Sequence, residues 1–564
     1  MKNGRVYKID FSRKRLGERA EKYYHERDYL SALRFTYKEL SLYGGSANVY
    51  ARLADIYENM GLNMSAINVW FKFMDECDQE DLPDIYEGLA VNYLNAGNEA
   101  QSAFYYNKLI DEDDTLTEEN KAEIVDAFAK EKRSLFRFVY PPRLADYSKE
   151  TEMGSRALKC GDCNRAISIL SVVEDGSPDY EVAREMQAVA HLLSDNADEA
   201  EKICLELIEK NPQNVQAIAT LAAVYVEKNK SEESKALAHR LYEMKLSRPE
   251  EIYKVATVCC ENGLHREALE KFNELEAVMP YDGNMLYFKA VAAFESGNEG
   301  QAEDALDRLY TIYPDASVAA YYLKEIRRYR EDPSLPRPQT TYFYRVPQAE
   351  RERRCRSLVN IGKASKEQAE IFGLLAEEEG LFAWCFDEMD GMDGDLQYLA
   401  VVVAEHSRAD GFLRDVLLDS EISDVLKIEL LRILYLRNEE NSFGVVICNI
   451  YREAALSRIV VGAKKRKKFV EAHAKLASKF AVIQVGYGER IKKAMETLYR
   501  AVSASGAWEL VENPDDLCCA VYLICGFKEM GRSAEQVTPL FEAEGTTVSS
   551  LLETYQKFTV TEKK

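Results

Sequence analysis

No apolar run in the chain approaches the roughly 18–20 residues that a helix needs to cross a bilayer, so no membrane role is expected. The first twenty residues hold Lys2, Arg5, Lys8, Arg13, Lys14 and Arg15 with no apolar stretch, and are expected not to act as a secretory signal. Cysteine is sparse, 12 in 564 residues, far below the density of a disulfide scaffold. Several cysteines (Cys204, Cys259, Cys260, Cys448, Cys525) lie in apolar stretches that read as helical, where a reduced thiol is a small apolar residue. Cys160 and Cys163 have CxxC spacing, but no second pair or histidine lies near in sequence to complete a zinc site. The βαβ context of a redox pair is missing as well. Gly161 is therefore expected to turn the chain between two helices there. Six histidines fall into no HxxxH or HExxH pattern. The expected compartment is a reducing cytoplasm. Positive charge is short: 73 Lys and Arg stand against 96 Asp and Glu, a net charge of −23 that repels nucleic acid unless a basic patch is set apart.

Signatures of catalysis are missing too. The chain has no GxxxxGK[ST] phosphate loop, GxGxxG after a strand, GxSxG elbow or kinase set. The acidic run 387–395 fails the calcium-loop template. Taking Gly394 as the loop glycine puts Met389 and Gly391 where oxygen ligands belong, and taking Gly391 puts Phe386 in the first position. No enzyme activity, cofactor or metal is expected. With 46% hydrophobic and 30% charged residues the chain is nonetheless expected to fold, and at roughly 150 residues per domain it suggests three or four units.

What the sequence does have is a period. Small residues recur at Ala20, Ala54, Ala90, Gly154, Ala188, Ala222, Ala256 and Ala290, with a spacing of 34 in most steps. A second series lies 12 residues after each: Ala32, Ala66, Ser102, Ala166, Ala200, Ser234, Ala268 and Ala302. Turn residues fall between the two at Gly61, Gly97, Gly161, Asp195, Asn229, Gly263 and Gly297, and several units end at Pro178, Pro212, Pro280 and Pro314. Apolar groups at steps of three and four, as in Val49 to Tyr57, give amphipathic helices. Each unit is thus a pair of helices held close by small residues, with Tyr57, Tyr93 and Tyr225 filling the space between pairs. One pair cannot bury its apolar face alone, so neighbours must stack.

These phases closely resemble the tetratricopeptide repeat (TPR) family over roughly residues 15–330. The fold implied is all-α: a superhelical solenoid, followed by an irregular helical C-terminal region with at most one short β element. The expected divisions are a first array of three units (15–110), a divergent connector (111–149) and a second array of five units plus a cap (150–330). A proline-rich linker (331–349), a HEAT-like helical region (350–440), a basic mixed segment (441–484) and a helical module (485–564) follow. In the linker, Tyr342, Phe343 and Tyr344 either dock a partner or pack on a neighbouring helix. Phe443 to Ile450 reads as one strand, with 456–461 as its candidate partner. The last 45 or so residues resemble a cyclin-like helix-turn-helix, but the would-be recognition helix carries Glu553 and a single Lys557, with no row to read bases.

Charge divides sharply in this region. Residues 367–429 hold 17 acidic against 3 basic residues, and residues 452–500 hold 13 basic against 4 acidic. The basic run Lys464, Lys465, Arg466, Lys467 and Lys468 is open to three readings: a solvated face or partner of the acidic stretch, an anion or nucleic-acid contact, or a nuclear import signal.

The resemblance implies that the first helix of each pair lines a concave peptide groove. In the first array it would present Tyr24, Asp55, Glu58, Asn59 and Asn95. In the second it would present Val189, Leu192, Leu193, Val226, Tyr253, Tyr287, Val291 and Phe294. Relatives that clamp a C-terminal carboxylate use Lys, Arg and Asn here, whereas Glu87 and Glu185 would repel an acidic tail. The expected function is a cytoplasmic protein–protein interaction scaffold without catalysis, the first array taking basic or polar segments and the second an apolar or amphipathic helix. The alternative is a regulator of gene expression that contacts nucleic acid through the basic segment. The apolar stripe of the second array is either open or covered by the chain's own C-terminal region.

Overall fold

The computed structural model describes residues 11–112, 116–117, 120–121, 147–159, 161–387, 394–437, 442–455, 464–480, 487–527, 533–541 and 543–562. Most of the expected connector 111–149, the acidic residues 388–393, Cys160 and the expected strand 456–461 lie outside them. Among the described residues, no helix is long and apolar enough to cross a membrane, and no group of three or more His, Cys, Asp or Glu is placed to hold a metal.

Eight helix pairs stand where the small residues recur. Pairs one to three are Arg13–His25 with Tyr29–Tyr43, Ala47–Asn59 with Asn63–Glu76, and Leu82–Asn95 with Glu99–Glu112. Pairs four to eight are Ser148–Lys159 with Cys163–Leu170, Tyr180–Leu193 with Ala197–Lys210, Val215–Glu227 with Ser231–Tyr242, Pro249–Glu261 with His265–Glu276, and Gly283–Glu295 with Glu299–Ile312. Ser317–Glu331 follows as a further helix packed on the last.

The residues of both small series are buried, most of them completely. Of the two serines in the second series, Ser234 Oγ donates to the Ala222 carbonyl across the pair at 2.9 Å, whereas the buried Ser102 hydroxyl makes no hydrogen bond. All seven expected turn residues have φ between 55° and 84°, the left-handed region that ends a helix. In each, the next N–H donates back five residues, as Leu62 does to Tyr57 at 2.9 Å and Asn298 to Ala293 at 2.7 Å. Arg27 makes the same turn in pair one at φ 59°, although nothing in its type signals it.

The chain forms two compact units. One holds residues up to 130, 365–373 and 401 onward, and the other holds 131–364 and 374–400. Residues 350–440 are thus divided between the units.

In the first unit, pairs one to three carry a β-hairpin, β1 (Ser442–Ile447) and β2 (Ile450–Ala455), paired antiparallel. This corrects the single strand expected over Phe443 to Ile450. Cys448 and Asn449 take φ of 53° and 60°, the two-residue turn that matches the twist of paired strands. Cys448 therefore lies in a turn, not in a helix. The hairpin sits on pair three: Gln101 and Tyr105 both donate to the Asn449 carbonyl, at 2.9 and 2.7 Å. Tyr451 OH donates to Asp75 at 2.8 Å, and Gly444 passes so close to that carboxylate that a Cβ would lie 1.7 Å from it. Lys427, fully buried, donates to the Val446 carbonyl at 2.7 Å, and burial lowers its pKa.

The C-terminal helices Lys464–Phe480, Tyr487–Ser505, Pro514–Cys525, Ala534–Phe541 and Gly545–Glu562 make their own core. Pro514–Cys525 runs through its middle with Leu517 to Tyr522 buried without a break, which is why that segment is apolar on every face.

Packing between pairs sets a testable limit. At Gly88 in pair three, a Cβ would lie 2.3 Å from Trp70 of pair two, whereas at Gly300 it would meet open space. Gly88→Ala is expected to cost about 1–3 kcal/mol through overpacking. Gly300→Ala is expected to be neutral or to stabilise by up to about 1 kcal/mol. Urea unfolding of the two variants reads the difference; equal stabilities would contradict close packing at Trp70.

Candidate functional site

The candidate groove residues fall into three patches, each on first helices. In the first array, Asp55, Asn59 and Asn95 are exposed, with Tyr24 and Glu58 half-buried. Asn59 Nδ2 donates to Tyr24 OH at 3.0 Å across neighbouring pairs, and the buried Asn92 donates to Glu58 at 2.9 Å. Although the Asp55 side chain is exposed on the face, desolvation by the surrounding helices and then the neighbouring Glu58 charge push its carboxyl up. Burial and then the charges of Glu87 and Glu58 do the same to the Tyr106 phenol. This patch is polar and acidic, and its electrostatics favour a cation or a hydrogen-bond donor.

In the second unit the first helices of pairs five to seven touch in succession. On pairs five and six, Leu193 and Val226 are 63% and 45% exposed, with Val189 and Leu192 half-buried beside them. Glu185 accepts from Asn214 Nδ2 at 2.7 Å. Burial raises its pKa against the opposing pull of that amide, Arg248 and Lys254. This patch is apolar and open.

The third patch is not open. Tyr287, Val291 and Phe294 of pair eight are at most 3% exposed, and the chain's own proline-rich segment covers them. After the helix Ser317–Glu331, Asp332 accepts from Ser334 N–H and Oγ at 3.1 and 2.6 Å, and the chain turns back without helix or strand. Arg337 donates to the Phe294 carbonyl at 3.0 Å, pairs with Glu295 at 3.1 Å and lies 4.7 Å over the Phe294 ring. Thr340 bonds Glu295. Tyr287 OH reaches the carbonyls of Thr341 and Phe343, at 2.8 and 3.1 Å. Tyr342 stacks on His265 with its hydroxyl 2.8 Å from Nδ1, and meets Phe288 edge-on. Tyr344 packs edge-on against Tyr287 at 4.8 Å. Phe343, between them, is 69% exposed, at a bend where its carbonyl accepts from Arg345 N–H at 2.7 Å. Tyr253 packs beside this patch on Phe272 and Phe288, and burial raises its phenol to about 12.

The far end of the segment is anchored by a carboxyl. Asp387, at the end of the helix Leu381–Asp387, accepts from Tyr344 OH at 3.0 Å and from Val318 N–H at 2.8 Å. It thereby caps the helix Ser317–Glu331 from outside. Beside it, Arg354 is buried, donates to Glu350 and Ser317 at 2.9 Å, and lies over the Trp384 ring. Burial raises Asp387 to about 7, Tyr344 and Val318 pulling against it. Nothing in the local sequence marks Asp387, because its partners lie 43 and 69 residues away.

The basic run begins the helix Lys464–Phe480. Lys467 is exposed, and Lys468 lies 3.9 Å from Glu471. The side chains of Lys464, Lys465 and Arg466 are outside the described set. In the would-be recognition helix Gly545–Glu562, Lys557 pairs with Glu553 at 3.3 Å, one turn apart, while Val548 and Leu551 are buried in the bundle core.

A tetratricopeptide repeat family model matches residues 261–317, spanning the second helix of pair seven and both helices of pair eight. The chain carries tetratricopeptide repeats. No curated protein matches it. Among solved structures it is similar to YrrB, described as a TPR protein with an unusual peptide-binding site, at 17% identity over 32% of this chain and 92% of that one, with a TM-score of 0.25. A tetratricopeptide repeat protein from Parabacteroides merdae is 14% identical over 50% and 99% of the two chains, with a TM-score of 0.24. The TPR2AB domain of yeast Sti1, in complex with pHSP90, is 15% identical over 47% and 98%, with a TM-score of 0.21.

The buried carboxyl has a pH consequence. A group whose pKa is higher folded than unfolded contributes stability that is full at low pH and lost as pH rises through the folded value. For Asp387 the window runs from about 4 to about 7, the unfolded and folded values. Asp387→Asn is expected to flatten the fall in melting temperature across that window relative to the unaltered protein. Parallel slopes in a pH series of thermal melts would contradict a buried, proton-holding Asp387.

Proposed function

We propose that this chain is a non-catalytic protein–protein interaction scaffold whose TPR first-helix faces receive segments of a partner. The observation that carries the reading is the covered patch on pairs seven and eight. That face already holds a stretch of non-helical polypeptide through hydroxyl-to-carbonyl bonds and ring contacts, which is how a peptide-binding surface works. The tetratricopeptide match falls on the same repeats.

The two open patches differ in chemistry and so in the segments they prefer. Asp55, Glu58 and Glu87 on the first array favour a basic or polar segment. Leu193 and Val226, with Val189 and Leu192, favour an apolar or amphipathic one, and buried apolar anchors would supply most of the affinity. An acidic C-terminal tail is disfavoured on both, since Glu87 and Glu185 stand where a carboxylate clamp needs cations.

Substituting Leu193→Asp together with Val226→Asp tests this reading. Both side chains are exposed, so folding stability should change by less than about 0.5 kcal/mol per site. With intact tagged protein as bait in extracts of its own cells, quantitative mass spectrometry should show named partners lost from the variant while melting temperature holds. An unchanged set of partners would sink the assignment of this face.

A further inference from the structure

We propose that the first-helix face of pairs seven and eight is a receptor for a partner segment bearing an arginine followed, five and seven residues on, by two tyrosines. Residues 337–344 occupy it as a tethered stand-in. The inference rests on the scaffold reading and adds the ligand chemistry and its built-in competitor.

The contacts divide as peptide recognition divides. One set reads backbone: a bend over residues 342–345 brings the Thr341 and Phe343 carbonyls to one hydroxyl, Tyr287 OH, at 2.8 and 3.1 Å, a contact that asks nothing of their side chains. The other set reads side chains. Glu295 and the Phe294 ring together favour a guanidinium, which pairs with the carboxylate while its carbon lies 4.7 Å from the ring centre. His265 and Phe288 form one ring slot, filled by Tyr342, and its hydroxyl meets the imidazole. Tyr287 and Asp387 form the second, filled by Tyr344, whose hydroxyl meets the carboxyl. Both slots want a phenol and not a plain phenyl, because each ends in a polar atom that would otherwise lose that hydrogen bond.

The occupant is held as a ligand is held. It forms no helix or strand of its own, Pro336 and Pro338 keep its first part from turning helical, and Phe343 is left in solvent. Being covalently attached, it acts at an effective concentration of about millimolar, so a free segment of equal intrinsic affinity must overcome that advantage. The face is therefore closed to weak competitors and open to a partner that binds more tightly or draws the segment away.

The test uses the intact protein and a fluorescent synthetic peptide of residues 335–347. Two variants loosen the segment: Arg337→Ala with Thr340→Ala at its edge, and Tyr342→Ala with Tyr344→Ala at its anchors. By fluorescence anisotropy, both should bind the peptide at least tenfold more tightly than the unaltered protein. A peptide with both tyrosines changed to alanine should not bind. Folding is checked by circular dichroism. A folded edge variant that fails to bind, equal binding by unaltered protein, or unfolding of both variants would each overturn the proposal, the last making the segment an ordinary part of the core. A dimeric mass by light scattering in the unaltered protein, absent from the anchor variant, would assign the face to a second copy instead. If peptide binding fails while Leu193→Asp and Val226→Asp still abolish partner capture, only the stand-in falls and the scaffold reading remains.

Discussion

The close approach of the two helices in each pair, at the small residues, is the contact on which the structure depends. Where Ala20 faces its partner helix, or Ala222 meets Ser234, no side chain larger than a methyl or hydroxymethyl fits. That brings the helices near enough for neighbouring aromatic and aliphatic groups to close the core. Repeated eight times, it turns short helices, each too short to be stable alone, into stacks stabilised by neighbours. The left-handed turn that ends each first helix is the second half of the device. It reverses the chain within a few residues, and the backbone N–H after it satisfies a carbonyl the helix would otherwise leave open.

Stacking leaves a row of first-helix faces, and the protein treats them unequally. On the first array the face is acidic and hydrogen-bonded within itself, as with Asn59 on Tyr24 and Asn92 on Glu58. On pairs five and six it is apolar and exposed. On pairs seven and eight it is covered by the chain itself, through bonds that begin at Arg337 and end on Asp387. A carboxyl that holds its proton near neutrality, a buried guanidinium and three phenols make that last region a polar interior. Such networks position groups strongly when all members are satisfied.

Some of this was open to reading in the chain and some was not, for reasons that differ by residue. Gly61, Gly97 and Gly263 announced their turns because glycine alone enters the left-handed region without strain. Asp195 and Asn229 did so because of their place in the period. Arg27 makes the same turn silently, since an arginine carries no conformational signal. The hairpin was misread as one strand because Cys448 and Asn449 are not the usual turn pair, and the apolar run masks the reversal. Tyr342, Phe343 and Tyr344 were visible as an aromatic cluster after prolines, but their spacing does not say which surface receives them.

Sequence alone determined the repeat, the placing of its turns and the absence of a recognisable catalytic motif, because each depends on residues within one 34-residue unit. Only the tertiary structure decided which groove residues are available. Tyr287, Val291 and Phe294 share the helical phase of Leu193 and Val226, yet one group is buried and the other is in solvent. The difference comes from contacts made across 40 to 60 residues of chain, as between Tyr287 and Phe343 or Phe294 and Arg337. Helical periodicity reports the face a residue lies on. It does not report what lands there.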